Sequence, residues 1–404
     1  MHRSVPALLA TGVIASAVAV VSISAVHEQP AGAPATTAAS ATSPATTPPA
    51  SGPSPTAAAS TQVVRRPGKA KRAPAKTVGP TFTITKVGNS YRAAKGKNTY
   101  KGSLKFVGEA AVQKLNAAGG GTVRFTAGTF DFGRDYFLFG DTLRNITFTG
   151  AGRTATLIKN KTNKAADTEP FNFHGTRKVT IRDLTVSAGG SPRTTSDAID
   201  FDKGNRSRVI NVGIIASRAR GIVFDGKDHK YTADYNEVTN CVISGVPTDG
   251  VDFLASNHNR ITGCRISNVG GTGIGAINAS GTADQKHKKS SYNVIRGNRV
   301  DQAGRDGILI NGGDHNRVEK NWVTNSSDEV DRRDGIRIQA LDSVTAIGNV
   351  VRDNVAADNQ TEPTQRYGLN ISSPRCKRTV VSGNSFEGNR VDAIQDLGTA
   401  SQLR

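Results

Sequence analysis

The sequence predicts an all-β parallel solenoid, and two observations predict it. One short phrase recurs along the second half of the chain: Ala198-Ile199-Asp200-Phe201, Gly221-Ile222-Val223-Phe224, Gly250-Val251-Asp252-Phe253, Gly273-Ile274-Gly275-Ala276, Gly307-Ile308-Leu309-Ile310, Gly335-Ile336-Arg337-Ile338, Gly368-Leu369-Asn370-Ile371 and Ala393-Ile394-Gln395-Asp396. Consecutive copies lie 23, 29, 23, 34, 28, 33 and 25 residues apart. A second phrase sits between them, as in Val238-Thr239-Asn240-Cys241-Val242-Ile243, Val318-Glu319-Lys320-Asn321-Trp322-Val323 and Ala346-Ile347-Gly348-Asn349-Val350-Val351. Both phrases alternate apolar with polar or small residues, which is strand periodicity, and no repeat holds a helix-length apolar stripe. The pattern reads as two short strands per repeat with a turn between them.

A strand this short cannot bury a face alone. Repeats of this length solve the problem by coiling, each strand pairing with its equivalent about 4.8 Å above and below, so that the inward residues form one continuous core. The variable spacing then places extra residues such as Gly281 to Ser290 and Glu362 to Arg366 in loops that bulge from one corner. Stacked in register, the second phrase puts Leu184, Val212, Cys241, Cys264, Asn298, Asn321, Asn349 and Asn384 in one file, whose asparagines can satisfy one another as a ladder. Cys241 and Cys264 fall one rung apart, near enough for a disulfide or for a reduced, stacked pair. Cys376 has no partner, and no His/Cys spacing resembles a zinc site.

The chain of 404 residues carries 52 Lys+Arg against 33 Asp+Glu. Residues 1–80 hold 7 basic and 1 acidic side chains, leaving 45 against 32 for residues 81–404, so the folded part is basic in its own right and suits a polyanionic partner. A hydrophobic content of 36% excludes a polytopic membrane protein, and 3 cysteines exclude a disulfide-stapled miniprotein. In residues 1–28, Arg3 is followed by a charge-free, mostly apolar stretch from Val5 to Val26, which reads as a signal peptide or an uncleaved membrane anchor. The expected location is secreted, or anchored at the cell surface. Residues 29–80 are rich in Ala, Thr, Pro and Ser and cannot repay their ordering entropy, which makes them a linker. Its Arg65, Arg66, Lys69, Lys71, Arg72 and Lys76 offer attachment to an anionic envelope polymer or read as ordinary solvated charge. Residues 81–404 remain for the solenoid.

The outward file of the first phrase reads Asp200, Val223, Asp252, Gly275, Leu309, Arg337, Asn370, Gln395, with Asp202 and Asp225 two positions further along their strands. Four carboxylates on one exposed patch raise one another's pKa unless a cation intervenes, so Asp200, Asp202, Asp225 and Asp252 are candidate Ca²⁺ ligands. Asp200 and Asp252, two rungs or about 9.6 Å apart, could instead flank a sugar at an inverting-glycosidase separation, or could be solvated surface charge. In the preceding file, Asp249, Asp306 and Asp334 each stand before a glycine, which is ordinary turn chemistry, while Asp197, Arg220 and Asp249 neutralise one another. A turn column, Tyr235, His258, Tyr292 and His315, each before an asparagine, offers rings to a substrate sugar or stacks on itself.

The segment from Gly108 to Phe125, with Gly119-Gly120-Gly121 at its centre and Ala127-Gly128-Thr129-Phe130 after it, resembles the N-terminal cap of the pectate-lyase-like right-handed parallel β-helix superfamily. The resemblance implies a single-stranded right-handed parallel β-helix with a short capping helix, and a secreted protein acting on acidic polysaccharides as lyase, hydrolase or epimerase. Ser196-Asp197-Ala198-Ile199-Asp200 and Ile336-Arg337-Ile338-Gln339 resemble two polygalacturonase motifs, but that family's paired aspartates and Gly-His-Gly are replaced here by Arg220-Gly221 and Asp249-Gly250. The Asp-Pro-His motif of alginate epimerases is absent.

A lyase acting by β-elimination asks for less: a cation to neutralise the uronate carboxylate and a base to take the acidified proton. Asp200, Asp252, Arg337, Arg305 and Lys227 are the catalytic candidates, and Arg220, Tyr235, His258, Tyr292 and His315 the candidates for holding an acidic polysaccharide. The alternatives are a polygalacturonase-like hydrolase or epimerase, and a noncatalytic surface module that binds polysaccharide. Nucleic acid is not expected, because the basic residues are dispersed and carry no recognised motif.

Overall fold

The computed structural model describes residues 79–160, 169–189, 196–226, 231–277, 289–327, 333–340 and 344–404. The expected signal segment, nearly all of the expected linker, and Lys227 lie outside the described residues. Among the described residues the strands form three long sheets, of 14, 10 and 9 strands, and one two-stranded sheet. After an antiparallel start through Thr81–Val87, Ser90–Lys95 and Asn98–Gly102, the pairings are parallel, each strand bonding to its equivalent one coil before and one coil after.

One coil runs from Ile199–Asp202 in the 10-stranded sheet to Arg208–Ile210 in the 14-stranded sheet and Gly213–Ala216 in the 9-stranded sheet. There are thus three strands per coil, not the expected two. The second phrase is cut in half by one residue in the left-handed region: Asn211 (φ 54°), Asn240 (54°), Gly263 (65°), Gly297 (63°) and Lys320 (53°). A single such residue turns the corner without adding loop length, so the alternating pattern runs through unbroken and conceals the bend.

The ladder needs one correction. The backbone N–H and Nδ2 of Asn321 both donate to Asn354 Oδ1, and those of Asn354 to Asn384 Oδ1, so Asn354 holds the rung assigned to Asn349. Asn349 belongs to a second ladder with Asn236, Asn259, Asn293 and Asn316, in which each side-chain oxygen accepts the backbone N–H of the rung before it at 2.6–2.9 Å. The phrase around Asn349 was set against the wrong corner because both corners use an asparagine after a left-handed residue; Gly348 (φ 64°) follows His315, not Lys320. Cys241 and Cys264 are free and buried, the reduced alternative.

Of the extra residues expected in loops at one corner, Gly281 to Ser290 lie outside the described residues except for Lys289 and Ser290, and Glu362 to Arg366 enter between Val355–Ala357 of the 9-stranded sheet and Tyr367–Ile371 of the 10-stranded one. The outer face of the 10-stranded sheet forms a floor beside them.

The helix Leu104–Ala117 caps the coil. Ser103 caps its N-terminus, and Leu104, Val107, Ala111, Val112 and Leu115 are buried against the first coils. Gly120 and Gly121, both with positive φ, lead out of it; a Cβ at either would lie 2.6 Å or less from a backbone oxygen, so the tight exit requires glycine. Below the cap, Phe173, Phe201, Phe224 and Phe253 stack rung on rung inside the 10-stranded sheet, with centroids 4.7, 4.8 and 5.6 Å apart.

Candidate functional site

The outward file of the 10-stranded sheet has the expected register, Asp200, Val223, Asp252, Gly275, Leu309, Arg337, Asn370 and Gln395 on successive rungs, and Asp202 beside Asp225. Its exposure differs from expectation. Asp200, Asp202 and Asp252 are 6%, 4% and 1% exposed, and Asp225 is half-buried, so the carboxylates are not an open patch.

The charges sort into two clusters. In the first, the Arg220 guanidinium grips Asp197 with two hydrogen bonds (Nε to Oδ1 3.1 Å, Nη2 to Oδ2 3.0 Å), and its Nη1 lies 3.9 Å from Asp252 Oδ2. Burial works to lower the Arg220 pKa, but the carboxylates of Asp197 and Asp252 hold it above its ordinary value. Burial, with the Asp249 carboxylate nearby, pushes Asp252 well above the usual carboxylate range. Gly275 on the next rung leaves the space that Asp252 fills; a Cβ there would stand 2.5 Å from Asp252 Oδ1. His174 joins the upper edge, with Nδ1 3.6 Å from Asp202 Oδ2. Among the described residues no group of three or more His, Cys, Asp or Glu side chains is placed to hold a metal ion. The positive charge beside Asp197 and Asp252 is the Arg220 guanidinium.

The second cluster begins two rungs below Asp252, at Asp306, roughly 10 Å along the coil. Arg337 Nη1 lies 4.0 Å from Asp306 and 3.7 Å from Asp334, Arg333 Nη1 3.6 Å from Asp306, and Arg366 Nε 3.2 Å from Asp334, which also accepts from Asn370 Nδ2 at 2.8 Å. The two aspartates are at most 1% exposed, while Arg333, Arg337 and Arg366 are 29%, 17% and 21% exposed. Carboxylates lie beneath and guanidiniums face outward. Arg305, Arg333 and Arg366 immediately precede Asp306, Asp334 and Tyr367 of successive rungs, which makes a file of three arginines along one edge of the floor. Arg305 is exposed and has no carboxylate within ion-pair distance among the described residues.

Of the expected catalytic residues, then, Asp200 and Asp252 lie with Arg220, while Arg337 and Arg305 lie in the second cluster. Arg333 and Arg366 were missed. A signal existed in the repeated Arg-Asp-Gly of residues 305–307 and 333–335, echoed by Arg366-Tyr367-Gly368, but Asp-Gly read as a turn. Asp306 and Asp334 are buried ion-pair partners rather than turn residues.

Tyr235, His258, Tyr292 and His315 form one stack at the corner toward the 14-stranded sheet, with centroids 4.9, 5.0 and 5.1 Å apart and every φ between 52° and 59°. The Arg206 guanidinium covers the free face of Tyr235 at 4.9 Å, and Gly348 follows His315. The ring faces that a sugar would use are occupied by neighbouring groups, and edges face outward.

The right-handed β-helix region family matches residues 171–350 and, in an overlapping match, 221–404. No curated protein matches the chain. Among solved structures, the Agl-KA catalytic domain is similar with a TM-score of 0.52 at 18% identity, over 72% of this chain and 52% of that one. The tailspike of E. coli bacteriophage HK620, solved with a hexasaccharide, gives 0.52 at 12% identity over 70% and 52%, so this chain spans about half of either protein. The A-module of a mannuronan C-5 epimerase from Azotobacter vinelandii gives 0.44 at 14% identity over 75% and 96%. The three-sheet parallel coil and a match over more than half its length lead to one conclusion: the chain belongs to the right-handed β-helix family.

Proposed function

We propose that the chain binds an acidic, uronate-containing polysaccharide along the floor of the 10-stranded sheet and cleaves it by β-elimination. The observation that carries the proposal is the outward guanidinium platform of Arg333, Arg337 and Arg366, held in place by Asp306 and Asp334 beneath it. Three guanidiniums over two carboxylates leave a net positive charge at a place where a polymer carboxylate can dock. Neutralising that carboxylate acidifies the adjacent C5–H. Arg305, exposed and with no carboxylate within ion-pair distance among the described residues, is the base in its neutral guanidine form: its free nitrogen lone pair takes the C5 proton, the electrons of the C5–H bond form the C4–C5 double bond, and the C4–O bond opens with its electrons on the leaving oxygen. The departing oxygen takes a proton from water. The hexasaccharide on the HK620 tailspike is consistent with a sugar chain on a coil of this kind. Export, and retention through the basic linker, belong to the same proposal.

The full-length protein incubated with polygalacturonate and with alginate should produce the absorbance of an unsaturated product, unchanged by a calcium chelator and lost in Arg305→Ala. No such signal from a broad panel of uronate polymers sinks the lyase. A second reading has its own support, since the carboxylates of the platform are buried and cannot reach a substrate: the wall holds the polymer without cutting it. Retention of polymer by the parent protein without product, abolished in Arg333→Ser/Arg366→Ser, would establish that reading instead.

Binding should also depend on pH. Burial raises Asp306 from the ordinary 3.8 to about 6. Below that value its carboxyl is neutral and the platform is one charge more positive, so polymer affinity should fall as pH rises through about 6, and Asp306→Asn should flatten the profile. The fold follows the same sign: the contribution of this group is fully present below 3.8 and is lost as pH rises through about 6. An affinity that is level across this window in the parent protein would remove Asp306 from the account.

A further inference from the structure

A second, unassigned cavity of about 850 Å³ lies on the outer face of the 14-stranded sheet, beside the capping helix. Its floor is two columns of outward side chains. Thr122, Thr147, Thr180 and Arg208 occupy successive rungs of one, and Arg124, Thr149 and Arg182 of the other. Arg124 and Arg182 therefore stand two rungs, about 9.6 Å, apart with a threonine between them. Lys178 closes one edge, and the backbone of Gly119–Gly121 and of Gly150–Gly152 forms the rims.

The chemistry of the lining selects a ligand class. Thr122 and Thr149 are buried, and the part-exposed hydroxyls of Thr147 and Thr180, each both donor and acceptor, match the hydroxyls of a sugar ring. Arg182 is paired with Asp183 at 2.6 Å and Arg208 with Glu237 at 3.5 Å, but Arg124 and Lys178 have no carboxylate within ion-pair distance among the described residues. The cavity thus holds uncompensated positive charge over a hydroxyl floor. None of its lining is aromatic, so it lacks the platform on which single-stranded nucleic acid bases stack.

We propose that this cavity is a binding site for an acidic oligosaccharide, separate from the wall of the 10-stranded sheet and independent of what that wall does. Calorimetric titration of the full-length protein with a homogeneous oligogalacturonate tests it. A variant with Arg333→Ser, Arg337→Ser and Arg366→Ser should keep one class of binding site. Adding Arg124→Ser and Lys178→Ser should weaken that class about tenfold or more, and Thr147→Val alone by a few-fold at an unchanged unfolding midpoint. If the wall variant does not fold, Arg124→Ser/Lys178→Ser in the parent protein should lower the stoichiometry by one. The proposal fails if Arg124→Ser/Lys178→Ser binds with the parent's affinity and stoichiometry. It fails equally if a single-stranded oligonucleotide of the same charge displaces the sugar at equal concentration.

Discussion

Asp334→Ala should lower the unfolding free energy by about 3 kcal/mol and loosen polymer retention with it. Asp334 is fully buried and is the common anchor of Arg366, Arg337 and Asn370, while its own backbone N–H donates to Asp306 Oδ1 at 2.9 Å. Truncating it leaves Arg366 with no carboxylate among the described residues, and Arg333 and Arg337 sharing one counter-charge, Asp306, which burial already inclines to stay protonated. Stranding a buried charge costs about 3–5 kcal/mol, and the lower figure applies because Arg337 and Arg366, at 17% and 21% exposure, keep some contact with water. Asp334→Asn, which keeps the shape and loses the charge, should fall between parent and alanine. Urea unfolding of the three proteins is the measurement; a loss below about 1 kcal/mol for the alanine variant would mean that the arginines are held by something other than this carboxylate.

That network also shows where sequence reading stopped. Whatever repeats at the strand spacing was legible: the phrase from Ala198 to Asp396 marks eight of the ten rungs of the 10-stranded sheet, all but Phe137–Phe139 and Phe171–His174, and with them the file from Asp200 to Gln395. A parallel coil converts sequence period directly into spatial neighbourhood, so these residues could be placed without knowing any loop. Corners were less legible. One left-handed residue turns the chain, and Lys320 or Asn211 serves as well as Gly263, so no single residue type marks the bend. Two corners built alike then exchanged Asn349 for Asn354.

The site was legible as position and not as burial. Asp306 looks like a turn residue because its neighbours in sequence are Arg305 and Gly307; it is an ion-pair partner because Arg333 and Arg337, nearly thirty residues later, reach back over it. A guanidinium spans about one rung, so Asp306 finds Arg333 and Arg337 on the next repeat and Asp334 finds Arg366 there, besides Arg337 on its own. The same holds for Asp252, which faces Arg220 of the rung before and whose space is provided by Gly275 on the rung after.

Phe201→Ala should cost the coil about 3–5 kcal/mol, an amount that single substitutions on its surface should not approach. Phe201 is fully buried, and its ring lies 4.7 Å from Phe173 and 4.8 Å from Phe224, tilted by 13° and 5°. Neither neighbour can move into the space, because each is fixed at the strand spacing by its own backbone ladder. The cavity therefore stays open, and the full transfer and packing loss is felt. Since each coil touches only the coils next to it, the damage should be local. Amide exchange should quicken in Phe171–His174, Ile199–Asp202 and Ile222–Asp225, and remain slow in Ile308–Asn311 and Ile336–Gln339. Asp200 and Asp202 flank Phe201 on the same strand, so the upper carboxylate cluster should lose its geometry while the arginine platform keeps binding polymer. Phe201→Leu, which fills most of the volume, should cost less than half as much. Exchange that quickens uniformly along the whole coil, or a loss of polymer binding equal to that of Arg333→Ser/Arg366→Ser, would show that the rungs are not independent and that the two clusters act as one.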